Sequence, residues 1–167
     1  MIKIVDNILN NEELKILQNE CNNFVITDKP NFNNFYNRIE INQKLIPEFI
    51  KSVNKILLDI LNNEYTLIPS KSTWINYIDT NTNKNDIFHK DISQASIVIY
   101  LNDSFAGGEL EYVDKDGIHK VYIPKTNSAV IMTNDLWHRV LPVTNGNRFS
   151  FVCFFENKNT KIQKTLL

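Results

Sequence analysis

The feature that most constrains this chain is a succession of short apolar runs, each the length of one β-strand, from Tyr65 to Phe155. They are Tyr65–Ile68, Thr73–Ile78, Ala95–Leu101, Glu109–Val113, Ile118–Ile123, Ala129–Thr133, Val140–Val143 and Phe149–Phe155. Turn-rich stretches separate them: Asn81–Asn85, Ala106-Gly107-Gly108, Asp114–Gly117, Pro124–Asn127 and Thr144–Asn147. Lys115-Asp116-Gly117 between two alternating runs is a hairpin signal. Strands this short and this numerous cannot bury their apolar faces singly, so they imply a sandwich or jelly roll.

The first part of the chain reads differently. A β-like run, Lys3 to Val5, is followed by a helix signal. Asn10 stands three residues before Glu13, the capping-box spacing, and Leu9 can staple against Leu14. Leu14, Leu17 and Cys21 continue at helical spacing. Residues 22–42 are polar with scattered aromatics and read as loop. A second helix is predicted from about Gln43 to Leu61, with Leu45, Phe49, Val53, Ile56, Leu57 and Ile60 on its apolar face and Pro47 in its first turn. The fold class is therefore α+β: one domain over residues 1–167, with N-terminal helices (about 1–64) packed on one sheet of a double-stranded β-helix (about 65–157).

Composition excludes several classes of partner. The chain has 167 residues, 43% of them hydrophobic, and a formal net charge of −1. Mixed charge of this kind offers no strong electrostatic hold on nucleic acid or an anionic membrane. No stretch approaches the roughly 18 apolar residues of a membrane span, and the N-terminus lacks the long apolar segment of a signal peptide. The expected location is the cytoplasm. Cys21 and Cys153 belong to no Cys-x-x-Cys pair and read as buried, reduced thiols.

The chemistry rests on few residues. There are three histidines, His89, His119 and His138. Two residues apart in an extended segment, His89 and Asp91 share a face. Alone, such a pair is as well explained by a surface turn. His138, at the start of a distant strand, completes a two-His, one-carboxylate set, which leaves open positions on one side of a metal and suits non-haem Fe(II). His119 follows the hairpin turn without a partner at ligand spacing and reads as a solvated strand residue. Arg148 shares a strand face with Ser150; inside a barrel it would need a carboxylate, and otherwise it is a surface arginine. Tyr100 lies in a strand buried on both faces, where its hydroxyl needs a partner; a structural tyrosine is the plain alternative.

In this order the motifs resemble the prolyl 4-hydroxylase-like branch of the Fe(II)/2-oxoglutarate dioxygenases. They are Tyr77 ahead of His89-Lys90-Asp91, then Ile97 to Asn102, Phe105-Ala106-Gly107-Gly108-Glu109-Leu110, Pro124-Lys125, Ala129 to Met132, and His138 through Arg148 to Ser150. The resemblance implies His89, Asp91 and His138 as metal ligands and Arg148 as the anchor of the distal carboxylate of 2-oxoglutarate. Tyr100 is implied as a second contact to that carboxylate, with Tyr77 and Ser150 as further candidates. Gly107-Gly108 is assigned a backbone role. The reaction implied is hydroxylation of a C–H bond coupled to conversion of 2-oxoglutarate and dioxygen to succinate and CO2, with ascorbate as reductant. A peptidyl or free proline-like substrate is expected, with Trp74, Tyr36 and the loop Asp79 to Asp86 near the entrance. Asp91 favours hydroxylation over halogenation, and the absence of an arginine beyond Arg148 argues against the nucleic-acid demethylase branch. The competing readings are a non-catalytic jelly-roll binding module and a cupin-type metalloenzyme that does not use 2-oxoglutarate.

Overall fold

The computed structural model describes residues 1–27, 37–39, 41, 53, 61, 65–67, 73–82 and 86–157. These form β1 (Ile2–Asp6), α1 (Asn11–Thr27), β2 (Asn37–Ile39), β3 (Tyr65–Leu67), β4 (Thr73–Ile78), β5 (Ala95–Tyr100), β6 (Ala106–Gly107), β7 (Leu110–Val113), β8 (His119–Tyr122), β9 (Ser128–Thr133), β10 (His138–Val140), β11 (Val143–Asn145) and β12 (Arg148–Asn157). The chain is thus mostly β-sheet, with one helix among the described residues. The second predicted helix, about 43–61, lies outside them apart from Val53 and Leu61, as does Tyr36.

A seven-stranded sheet runs β1-β9-β5-β12-β4-β2, with β3 also paired to β12. A three-stranded sheet, β10-β7-β8, and a β11-β6 pair complete the strands. All pairs are antiparallel. The long β12 lies between β4 and β5, with Ser150 level with Asn76 on one side and Tyr100 on the other. Alternation then sorts the side chains. Ile75, Ile97, Ile99, Ala129, Ile131, Phe149, Phe151 and Cys153 share one apolar core with Leu17 and Cys21 of α1. The residues between them face the other way, where Val130, Met132 and Tyr100 meet Leu110 and Leu136.

The start of α1 follows the predicted capping box. Asn10 Oδ1 accepts the N–H groups of Glu12 and Glu13 at 3.0 and 2.9 Å, and Glu13 Oε2 accepts that of Asn10 at 2.9 Å. Its end does not follow the prediction: α1 continues to Thr27, into the stretch read as loop, because Phe24 packs on the same core as Leu17 and Cys21. The same stretch also contributes strand β2, paired to β4. The run Val140–Val143 is two strands rather than one, interrupted at Leu141-Pro142, where proline has no N–H to offer a ladder. The Asp114–Gly117 hairpin forms as read: Asp114 Oδ1 accepts the N–H groups of Asp116 and Ile118, and Gly117 has φ 76°.

Gly107 and Gly108 both have positive φ and fold back on Pro142, whose carbonyl accepts the Gly108 N–H at 3.1 Å. A Cβ on Gly107 would stand 2.2 Å from that carbonyl oxygen, and one on Gly108 2.9 Å from Cδ of Arg148. The second contact brings a turn motif against a buried cation.

Candidate metal centre and co-substrate cavity

His138 begins β10, which pairs with β7 through His138–Tyr112 and Val140–Leu110. His89 lies outside any strand, yet its backbone forms one antiparallel bridge with His138. The His89 N–H donates to the His138 carbonyl at 2.9 Å, and the reverse bond is 3.0 Å. This bridge brings together two ligands 49 positions apart, leaving their rings 4.5 Å apart, centre to centre. Asp91 follows on the same irregular segment. One ligand atom each from His89, Asp91 and His138 lie within 4.8 Å of one another, and His138 Nε2 is 3.8 Å from Asp91 Oδ1.

The surrounding bonds aim these atoms. Each imidazole directs Nδ1 to a backbone carbonyl two residues earlier, His89 to Ile87 at 2.9 Å and His138 to Leu136 at 3.1 Å. With the proton on Nδ1, Nε2 is left as the lone-pair atom a metal takes. Burial, the largest influence, holds His138 below the ordinary histidine value; the Asp91 carboxylate opposes it. A neutral ring is the ligating form. Ser96 Oγ donates to Asp91 Oδ2 at 2.6 Å, leaving Oδ1 toward His138. Asp86 Oδ2 accepts the Val140 N–H at 2.8 Å, tying the segment before His89 to β10.

The same cavity, of about 100 Å³, is lined by Trp74, Asn76, Asp86 and the three ligands, and at its far side by Tyr100, Arg148 and Ser150. Arg148 is 2% exposed and forms no ion pair among the described residues; Nη1 donates to Ser150 Oγ at 3.1 Å, while Nε has no partner among them. Burial lowers its value, and the neighbouring Tyr100 opposes that. The Tyr100 hydroxyl, on a side chain with 0% exposure, lies beside the Arg148 guanidinium but has no partner in hydrogen-bond geometry among the described residues; burial pushes it above the ordinary tyrosine value, and the guanidinium opposes that. A buried cation without an anion is costly. A cation without an anion and a hydroxyl without a hydrogen-bond partner, lining one cavity, fit a bound carboxylate. The two nitrogens and one oxygen of the triad, lining the same cavity, fit Fe(II).

Tyr77 is not brought to this cavity. It lies on the opposite face, against Phe24 and Phe149, and its hydroxyl donates to Asp79 at 3.1 Å. His119 is exposed, as expected, but has a partner: Nδ1 is 3.1 Å from Glu111 Oε1. Both cysteines are buried and free, and burial pushes both thiols up to about 12. Trp74 and Asp86, both expected near the entrance, do line the cavity. Sequence reasoning passed over Ser96, which carries a usable signal, being polar and on the same face as Tyr100 in a buried strand.

The family model described as the 2OG-Fe(II) oxygenase superfamily matches residues 75–156. No curated protein sequence matches the chain. Among solved structures, a Pseudomonas putida prolyl-4-hydroxylase is similar at TM-score 0.70 and 16% identity, over 94% of this chain and 92% of that one. HygX from Streptomyces hygroscopicus, solved with nickel and 2-oxoglutarate bound, is similar at TM-score 0.68 and 12% identity, over 94% and 83%. A prolyl hydroxylase from Trichoplax adhaerens, in complex with a hypoxia inducible factor peptide fragment, is similar at TM-score 0.68 and 14% identity, over 95% and 84%. At these identities the likeness is one of fold.

Proposed function

Residues 75–156 belong to the 2OG-Fe(II) oxygenase superfamily, and from that premise we propose that this chain hydroxylates a C–H bond of a prolyl ring, free or carried by a peptide. Fe(II) and 2-oxoglutarate are the cofactor and co-substrate that the family and the His89, Asp91, His138 set imply. The two facing sheets are read as the two halves of a jelly roll. The observation that carries the reading is the pairing, in one cavity, of a metal-competent triad with a buried arginine that lacks an anion.

When bound, Fe(II) with 2-oxoglutarate supplies the oxidising chemistry: dioxygen and a C–H bond become an alcohol, and 2-oxoglutarate leaves as succinate and CO2. The residues of the chain bind and orient. His89, Asp91 and His138 would hold the metal. Arg148 would neutralise the far carboxylate of the co-substrate, and the Tyr100 hydroxyl would donate to the same group. Val98, Met132 and Val152 wall the cavity with apolar surface, which strengthens the charge contacts inside. The prolyl substrate is supported by prolyl hydroxylases among the structural neighbours, those from Pseudomonas putida and Trichoplax adhaerens being two of them.

The test is succinate formation from 2-oxoglutarate with Fe(II), its inhibition by N-oxalylglycine, and a search for a product heavier by one oxygen across a panel of peptides and amino acids. Turnover without 2-oxoglutarate would favour the cupin-type reading, and its complete absence the binding module.

A further inference from the structure

Asp86 lines the cavity beside the triad, and only half of its carboxylate is used. Oδ2 accepts the Val140 N–H at 2.8 Å. Oδ1 is 3.8 Å from His89 Nδ1, beyond hydrogen-bond reach, and that nitrogen is already directed to the Ile87 carbonyl. The Asp86 side chain is 17% exposed, so its carboxylate is partly buried at the cavity wall.

The charges of the cavity show what this oxygen lacks. Among the described residues, the charged side chains lining it are Asp86, Asp91 and Arg148, with the two imidazoles neutral as ligands. A divalent metal on Asp91 leaves one positive charge; adding Arg148 makes two. A doubly negative 2-oxoglutarate cancels both. Among the described lining residues, the loaded site would then carry one negative charge without a counter-ion, and it would sit on Asp86. A partly buried charge in that position favours an arriving cation and repels an anion.

We propose that Asp86 is a specificity-determining residue that receives a cationic ammonium group of the prime substrate. The proposal rests on the oxygenase reading and narrows its substrate class. An amine held there sits next to the reacting carbon. A prolyl ring inside a peptide chain, whose nitrogen is an uncharged amide, lacks the feature recognised; a free or N-terminal prolyl amine has it.

The test measures binding rather than turnover. The protein is loaded with Zn(II) and N-oxalylglycine, and dissociation constants are determined by NMR titration at neutral pH. The probes are prolinamide (a cation), the tripeptide amide Pro-Ala-Ala-NH2 (a cation at a chain end), N-acetylprolinamide (neutral) and cyclopentanecarboxylate (an anion). One or both cationic probes are expected to bind at least about tenfold more tightly than N-acetylprolinamide, with the anion weakest. Which cation binds better tells a free amine from a chain terminus. In Asp86→Asn the preference collapses to about twofold or less, since the amide keeps an oxygen for the Val140 N–H but carries no charge. An N-oxalylglycine affinity that is not weakened in that variant shows that the rest of the site is intact. Equal binding of cation and neutral probe, no binding of either cation, or a cation preference that survives Asp86→Asn overturns the proposal. Failure of the oxygenase reading shows separately and earlier, as failure of Zn(II) and N-oxalylglycine to load.

Discussion

Arg148 and Phe151 stand three residues apart on β12, both closed off from solvent, on opposite faces of the seven-stranded sheet. Phe151 is surrounded by Ile75, Ile97, Ile99 and the α1 side chains, with nothing left unpaired. Arg148 is surrounded by Ser150, Tyr100 and a cavity, with its Nε unsatisfied. The same backbone ladder holds both. One face therefore supplies stability through apolar burial, and the other gives up part of it to keep a cation without an anion dry. Substitutions on the two faces should separate stability from function.

The largest functional effect is expected at His138. His138→Ala removes one metal ligand while the backbone bridge to His89 stays available, so Fe(II)-dependent succinate formation should fall to the rate without enzyme. Thermal unfolding of the metal-free variant should stay within a few degrees of the wild type. Retained turnover would remove the triad from the account. Phe151→Ala on the opposite face should do the reverse. It costs about 3–5 kcal/mol of unfolding free energy, read as a lower urea midpoint, and leaves the 2-oxoglutarate KM of the folded fraction unchanged. A large KM effect there would show that the two faces are not separable.

What the chain shows before folding follows the same division. Strand positions, the alternation on β12 and the capping box at Asn10 were legible because each depends on residues close in sequence. His89, Asp91 and His138 were legible only as an ordered motif, since the contact that joins them is one backbone bridge between distant segments. Tyr77 belongs to the same motif but faces the apolar core: it is level with Phe149, not Arg148, and that register is set between strands. The buried Asn127 was read as a turn residue. In the fold its side chain accepts the Leu9 N–H and donates to the Leu9 carbonyl, both at 2.9 Å, tying the turn before β9 to the start of α1. No local pattern announces a bond across 118 residues.

Arg148→Met sharpens the comparison because its two effects have opposite signs. It replaces an unpaired buried cation with an apolar side chain of similar length. The ligand-free protein should therefore gain about 1–4 kcal/mol of stability, measured by urea unfolding. The KM for 2-oxoglutarate should rise about 30- to 1000-fold, the equivalent of roughly 2–4 kcal/mol for a charge-assisted anchor. A loss of stability in this variant would mean that Arg148 is satisfied within the protein and that the two faces of β12 are alike.

The smallest effect is the most local. Ser96 is 1% exposed on β5, and its hydroxyl holds Asp91 Oδ2 at 2.6 Å. Ser96→Ala removes little volume and leaves the ladder to β9 and β12 in place, so stability should change little. What it removes is the bond that fixes which carboxylate oxygen faces His138. A carboxylate free to turn must be ordered again when the metal binds, and metal affinity should drop about 10- to 100-fold, the usual range for a lost partner of a metal ligand. Titration with Co(II), followed by its visible absorption, measures this without turnover. Ser96→Thr keeps the hydroxyl and should restore most of the affinity. If Ser96→Ala binds Co(II) like the wild type, the irregular segment itself fixes Asp91. The polar positions of β5 would then contribute to the cavity wall but not to the metal site.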